Sequence, residues 1–224
     1  MTEKQPAPEI SSENIPELLP ILPLFDTALY PKMVLPLVVM QRESVQLIDE
    51  AMSKDRIIGL VVAKQQVQKT PFPKEELSGV GTSALILKMA KTQDNRAQLL
   101  VQGLSRFKVV SFKDSKPYLL AQVEHLKEIE KKDDEAEALM SNLIGLFNKI
   151  VELSPGLPQE IGAMANNINE PGTLADMIAS TINISTEDKQ KILEIEDSKT
   201  RLKEVNKLAN HQLQILERGN KIQS

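Results

Sequence analysis

The pattern of apolar residues changes character once along the chain, and that change limits what it can fold into. From Leu18 to about Ile129 the apolar residues come in short aliphatic and β-branched runs; from Leu139 onward they step by three and four. The first pattern belongs to strands, the second to helices packed through one face. The chain is therefore expected to be α+β, with a β-rich part followed by a helical part. Its 224 residues suffice for one large domain or two small ones.

Within the first part, Leu19 to Phe25 reads as an extended segment whose Pro20 and Pro23 place it at an edge or a strand start. Met33 to Val39 is a second strand, broken by Pro36, and Ile57 to Ala63 a third, apolar on both faces. Thr82 to Met89 and Arg96 to Gln102 flank a polar turn at 91–95, a hairpin signal. Phe107 to Phe112 and Tyr118 to Leu126 make a further pair around 113–117. One helix interrupts them, with Val45, Ile48 and Met52 on a stripe that Leu47 and Ala51 widen. About seven short strands and one helix suggest a small, mostly antiparallel, barrel-like sheet.

The helical part opens after the charged run 131–137. Leu139, Leu143, Leu146, Ile150 and Leu153 form the first stripe. Pro158 can open a second helix carrying Ile161, Met164, Ala165 and Ile168. A third bears Leu174, Met177, Ile178 and Ile182, and Ser185 starts a fourth in a capping-box-like pattern. The last helix begins near Asp197, carries Leu202, Val205, Ala209, Leu213 and Leu216, and shows no stop signal, as expected of a piece of a longer chain. The charged segment 127–137 reads as a junction with few buried anchors, so the halves are expected to separate.

Several chemistries are excluded by residue type. No Cys is present, so there is no disulfide, thiol nucleophile or thiolate metal site. The two His, His125 and His211, have no third group at a meaningful spacing. Neither G-x-S-x-G, H-E-x-x-H nor the phosphate loop occurs. Gly79-Val80-Gly81-Thr82-Ser83-Ala84 looks like the start of a dinucleotide fingerprint, but a polar segment precedes it and a strand pattern follows, so a strand start is the better reading. Asp133, Asp134, Glu135 and Glu137 fit a helix N-terminus better than a cation site. Residues 1–17 hold four Glu and one Lys and read as a flexible acidic arm, with neither the positive start nor the apolar run of a secretory signal. The expectation is a cytoplasmic protein with no membrane span.

The strings themselves carry a resemblance. Leu19-Pro20-Ile21-Leu22-Pro23-Leu24-Phe25-Asp26, followed by Tyr30-Pro31-Lys32-Met33-Val34-Leu35-Pro36-Leu37, resembles the opening of the N-terminal domain of Lon, the ATP-dependent protease. Gly79 to Leu87 resembles the next signature of that family. Val101-Gln102-Gly103-Leu104-Ser105-Arg106-Phe107 resembles the one after, with Gln102 where an acidic residue is usual. Leu174-Ala175-Asp176 and the last helix extend the likeness over 18–224. Phe25 stands where Arg is common, and Lys32 and Met40 where Gly is common.

The resemblance implies a PUA-like, mostly antiparallel β pseudo-barrel with one helix over 18–129. A helical bundle would follow over 130–196, with the start of a long helix leading to an ATPase module at 197–224. It implies substrate recognition and assembly for a cytoplasmic, homohexameric serine protease of protein quality control and stress response, which degrades misfolded and short-lived regulatory proteins. The family's ATPase and Ser–Lys peptidase modules have no counterpart in these residues. The chain itself is then non-catalytic, without cofactor or metal, and ATP and magnesium belong to the ATPase module.

The implied partners are unfolded or damaged proteins, with no membrane and no nucleic acid. The candidate contact patch is the loop Tyr30, Pro31 and Met33 with Leu35 and Pro36; the competing reading is a loop turned into the core. The alternative function, a stand-alone PUA-like RNA-binding protein, fits poorly. The net charge is −4, the six Arg are scattered, and five Phe, two Tyr and no Trp leave few stacking platforms.

Overall fold

A computed structural model describes residues 14–113 and 117–223. The acidic arm lies outside them up to Glu13, as does the centre of the turn at 114–116. Six strands, β1 (Leu18–Leu24), β2 (Val34–Val39), β3 (Ile57–Val62), β4 (Val80–Lys91), β5 (Ala97–Lys113) and β6 (Leu120–His125), form one sheet with a single helix, α1 (Arg42–Met52), between β2 and β3. Five helices follow: α2 (Asp134–Glu152), α3 (Glu160–Asn166), α4 (Pro171–Thr181), α5 (Thr186–Glu194) and α6 (Ser198–Gln223).

The strand order is β2-β5-β4-β3-β1-β6, and a further β5–β6 pairing closes the sheet into a pseudo-barrel. All pairings are antiparallel except β1–β3. The two short strands expected at 96–102 and 107–112 are one long strand. β5 pairs β2 through 97–102 and β6 through 107–113, and its register against β4 shifts at Ser83/Ala84 and Ile86/Lys88. Such bulges bend a strand enough to serve two neighbours in turn.

Two other expectations about the strands need correction. β1 is not an edge strand. Its neighbours are staggered, however: β6 pairs 18–20 and β3 pairs 21–24, so each proline has a neighbour on one side. Residues 14–17 are not part of a free arm. Ile15 is buried, the Glu17 carbonyl accepts from the Val123 N–H at 2.8 Å, and the Pro16 carbonyl lies 2.9 Å from His125 Nε2.

Two apolar clusters cover the sheet, drawing on alternate residues of β3: Ile58 and Leu60 in one, Ile57 and Val61 in the other. One gathers Leu22, Val45, Ile48, Leu60, Ile86 and Leu99 under α1; the other gathers Ile15, Leu19, Val61, Phe72 and Phe107. The helices share a third, in which α2 offers Met140, Leu143, Phe147 and Ile150. Leu139 and Leu146 only flank it, so the buried stripe of α2 is turned one residue from the expected one. Pro171, rather than Pro158, takes the first helical position, and Met164 is exposed. The caps follow the sequence: Asp133 Oδ1 accepts from the Ala136 N–H at 2.8 Å and Ser185 Oγ from the Asp188 N–H at 3.1 Å.

The halves are locked together rather than loosely joined. Ile129 bridges in parallel to Asp197, the Ser198 N–H donates to the Ile129 carbonyl, and Lys199 reaches Asp133 at 2.8 Å. From the segment before β2, Lys32 Nζ reaches Glu170 at 2.7 Å and the Tyr30 hydroxyl donates to the Lys189 carbonyl at 2.9 Å, and that segment is itself pinned within the barrel. The Lys32 N–H donates to the Gly103 carbonyl at 2.9 Å, and the Gly103 N–H to the Met33 carbonyl at 2.8 Å. A Cβ on Gly103 would run into the Tyr30 carbonyl oxygen, which explains the glycine. Lys32 itself has φ 67°, a conformation that favours glycine.

Candidate functional site

Strand alternation decides which residues of the 30–40 segment meet solvent. Tyr30 does not: it is fully buried, its hydroxyl donates to the Lys189 carbonyl at 2.9 Å, and the Arg106 guanidinium stands 5.8 Å from its ring centroid. Met33 is half-buried between the barrel and helical cores, with the Ser180 hydroxyl 3.9 Å from its sulfur. Leu35 packs on the barrel core and Pro31 is half-buried, so of the five candidate residues only Pro36 is exposed. The outward residues are the other set. Val34 is 51% exposed, Val38 60% and Met40 60%, with Pro36 between them. A one-residue slip reverses every side chain of a strand, and the unbroken apolar run Met33 to Met40 gives no polar residue to reveal the phase. Val34, Val38 and Met40 were the residues sequence reasoning missed. The only signal for them was their alternation with Met33, Leu35 and Leu37.

The register extends this strip into a face. Pro36 sits opposite Leu100, which sits opposite Lys88; Val38 sits opposite Gln98, which sits opposite Ala90. Directly opposed residues share a face of the sheet, so β2, β5 and β4 present two rows of side chains. A groove of about 850 Å³ lies here, lined by Val38, Met52, Met89 and Leu100 together with Arg56 and Lys88. On the other side of β2 a second cleft of about 260 Å³ separates Leu37–Met40 from Leu22–Phe25.

Among the described residues only β5 pairs with β2, whose other edge is open there. Because the Met33 carbonyl bonds inward to Gly103, ladder alternation sends the inward bonds to Leu35, Leu37 and Val39. Pro36 therefore lacks its donor on the open side, where the gap hinders further strand pairing. The face, rather than the edge, is thus the candidate contact surface of the barrel.

A charged cluster holds this barrel on the helices. Arg106 of β5 gives two parallel bonds to Asp176 of α4, at 2.7 and 2.8 Å, and a third to the Leu193 carbonyl. Arg201 of α6 binds Glu128 at 2.6 Å and the Ile195 carbonyl at 2.9 Å, and lies 3.6 Å from Asp176. Both guanidiniums are buried. Burial alone would push Arg106 down, but the carboxylates of Asp176 and Glu128 outweigh it and hold it above its ordinary value. Burial raises Tyr30, helped by the charge of Asp176, and burial with the neighbouring Glu128 raises Glu130.

This arrangement fixes two subdomains; it brings no nucleophile to a base. Among the described residues no group of three or more His, Cys, Asp or Glu is placed to hold a metal ion, and no helix is long and apolar enough to cross a membrane. His211 is exposed, and Glu135 is tied to Lys199 and Lys203.

Comparison with known proteins is consistent with a binding rather than a catalytic site. A family model described as the ATP-dependent protease La (LON) substrate-binding domain matches residues 18–211. The Lon protease of Desulfosudis oleivorans is 50% identical over 214 residues, covering 96% of this chain and 26% of the relative. That of Syntrophus aciditrophicus is 51% identical over 214 residues, covering 94% and 27%. The chain thus spans about a quarter of the length of these relatives. Its fold is similar to the N-terminal domain of the Mycobacterium avium complex Lon protease, with a TM-score of 0.69 at 22% identity over 86% of this chain and 98% of that one.

Proposed function

We propose, from the premise that this chain belongs to the family of Lon substrate-binding domains, that it captures exposed apolar segments of unfolded or damaged proteins on the β2–β5–β4 face. The observation that carries this reading is the row Val34, Pro36 and Val38 of β2, continued by Met40 just past its end: four apolar residues left in solvent side by side. Unfolded chains expose the apolar side chains that folded ones bury, and a face of Val, Pro, Leu and adaptable Met accepts many sequences. Single contacts of this kind are weak, with Kd on the order of 10 μM to 1 mM.

The proposal extends to a longer protein. It would be an ATP-dependent serine protease, cytoplasmic and active under stress, in which six copies assemble and their linked faces raise the effective affinity. ATP, magnesium and peptide cleavage would be handled by segments other than these 224 residues, which carry no phosphate loop or triad pattern. The test is a fluorescence titration with a permanently unfolded client and with its folded form. Binding should favour the unfolded form by at least about tenfold. The exposed double substitution Val34→Ser/Val38→Ser should erase that preference without changing the circular dichroism spectrum. Equal binding of both forms, or a preference untouched by the double substitution, would refute the assignment.

A further inference from the structure

The groove on this face carries a charge that its apolar floor does not need. Arg56 and Lys88 line it, and no acidic residue does. Two other cations of this region have carboxylate partners: Lys91 reaches Asp49 at 2.7 Å and Arg96 reaches Asp94 at 2.9 Å. Among the described residues no carboxylate lies within 4 Å of the Arg56 or Lys88 head group, although the whole chain carries a net −4.

Their backbones are held firmly. The Arg56 N–H donates to the Ala51 carbonyl at 3.0 Å, and the Arg56 carbonyl accepts from the Ile86 N–H at 2.9 Å. Lys88 stands two residues beyond Ile86, past a register shift, and opposite Leu100. Two residues of strand and one interstrand step separate the two Cα atoms by about 8 Å. Both side chains line this one groove, together with Leu100 and Val38.

We propose that this groove selects among unfolded segments. Its occupant is an extended polypeptide stretch of apolar residues with an Asp or Glu beside them, the carboxylate lying between Arg56 and Lys88. The inference rests on the client-binding reading of the same face. Charge complementarity picks the carboxylate, and the aliphatic floor picks the apolar residues. A single-stranded nucleic acid is the poorer fit, because no aromatic side chain lines the groove for a base to stack on. Exposed ion pairs discriminate modestly, so the acidic segment should bind about 3–10-fold more tightly than a neutral one.

The experiment is fluorescence anisotropy with the 224-residue chain and three labelled dodecapeptides that share one apolar core. The core is flanked by two Asp, two Ser or two Lys. The expected affinity order is Asp, then Ser, then Lys. It should collapse at about 0.5 M salt, where screening shortens the reach of charge to a few ångströms. It should also collapse in the exposed double variant Arg56→Gln/Lys88→Gln. Equal binding of the three peptides at low salt overturns the proposal, as does an order that survives the double variant. So does displacement of the Asp peptide by an oligouridylate of the same length, or a concentration-dependent dimer that Lys88→Glu abolishes.

The two readings fail separately. If Val34→Ser/Val38→Ser weakens all three peptides while their charges make no difference, capture stands and selection is wrong. If it weakens none, the capture face itself is wrong.

Discussion

Replacing Asp176 by Asn should be among the most damaging single changes to this protein, although it alters no shape. The salt bridges around it join Arg106 and Arg201 to Asp176 and Glu128, with Glu130 near enough to feel the charge of Arg201. The substitution leaves two guanidiniums, 3% and 0% exposed, facing one carboxylate that is itself 36% exposed. Breaking a buried ion pair by removing one partner typically costs about 3–5 kcal/mol, because the remaining charge stays desolvated without compensation. That is a loss of roughly two to three and a half decades in the folding equilibrium. With a urea dependence of about 2–3 kcal/mol per M, the midpoint should fall by roughly 1–2 M.

The same reasoning predicts a rescue. Arg106→Met/Asp176→Leu removes one charge of each sign, so Arg201 and Glu128 remain a balanced pair. Well-packed apolar residues often replace a buried pair at little cost. The double variant should lose only about 1–2 kcal/mol, much of it the bond to the Leu193 carbonyl, and be more stable than either single variant. Equilibrium urea unfolding followed by circular dichroism measures Asp176→Asn beside the four proteins of the cycle: wild type, Arg106→Met, Asp176→Leu and the double variant. If Asp176→Asn costs less than about 1 kcal/mol, or if the double variant costs the sum of the singles, the cluster is not a coupled buried unit and the reasoning is wrong.

Three further outcomes follow from single positions. Gly103→Ala should destabilise by about 1–3 kcal/mol, read as a lowered urea midpoint, since its methyl would meet the Tyr30 backbone rather than a movable side chain. Ser185→Ala should lower stability by about 1 kcal/mol through the lost cap on the Asp188 N–H, and Ser185→Gly by less. Asp197 is held at about 2 by the hydroxyl and N–H of Thr200 and by Lys131. A depressed carboxyl contributes stability above its unfolded value of about 3.9, and that stability is lost as pH falls through the folded value. Asp197→Asn should therefore be less stable than wild type at neutral pH, with the gap closing as an acid titration approaches about pH 2.

The parts of this fold that were legible in the sequence are those whose signals are local. The period change near residue 130, the Ser185 and Asp133 caps and the stripe of α6 each depend on residues within a turn or two of one another. The charged junction shows the limit. Its residues between 127 and 133 look solvated in sequence, yet Glu128 closes an ion pair with Arg201, 73 residues away, and Ile129 bridges to Asp197. Arg106 appeared only as one member of a motif string. Nothing next to it in sequence announces that Asp176, 70 positions on, will neutralise it inside the molecule. Ion pairs of this separation are made by the packing of α4 and α6 against β5, and packing has no local signature.

The candidate face failed to show itself for a different reason. Tyr30 looks like a contact residue because an aromatic beside a proline in a loop is an ordinary feature of binding surfaces. Burial wins here because the aromatic ring has two specific partners, the Arg106 guanidinium over its face and the Lys189 carbonyl on its hydroxyl, and both come from distant elements. Once Tyr30 is inside and Gly103 fixes the Met33 carbonyl, the phase of β2 has no freedom left: Leu35, Leu37 and Val39 turn to the core, and Val34, Pro36 and Val38 turn to solvent. A chain needing only a stable barrel could have placed Thr or Lys at those outward positions, as β4 does with Lys88. Apolar side chains at these positions are the feature that folding leaves unexplained, and the proposed client capture would supply a reason for it.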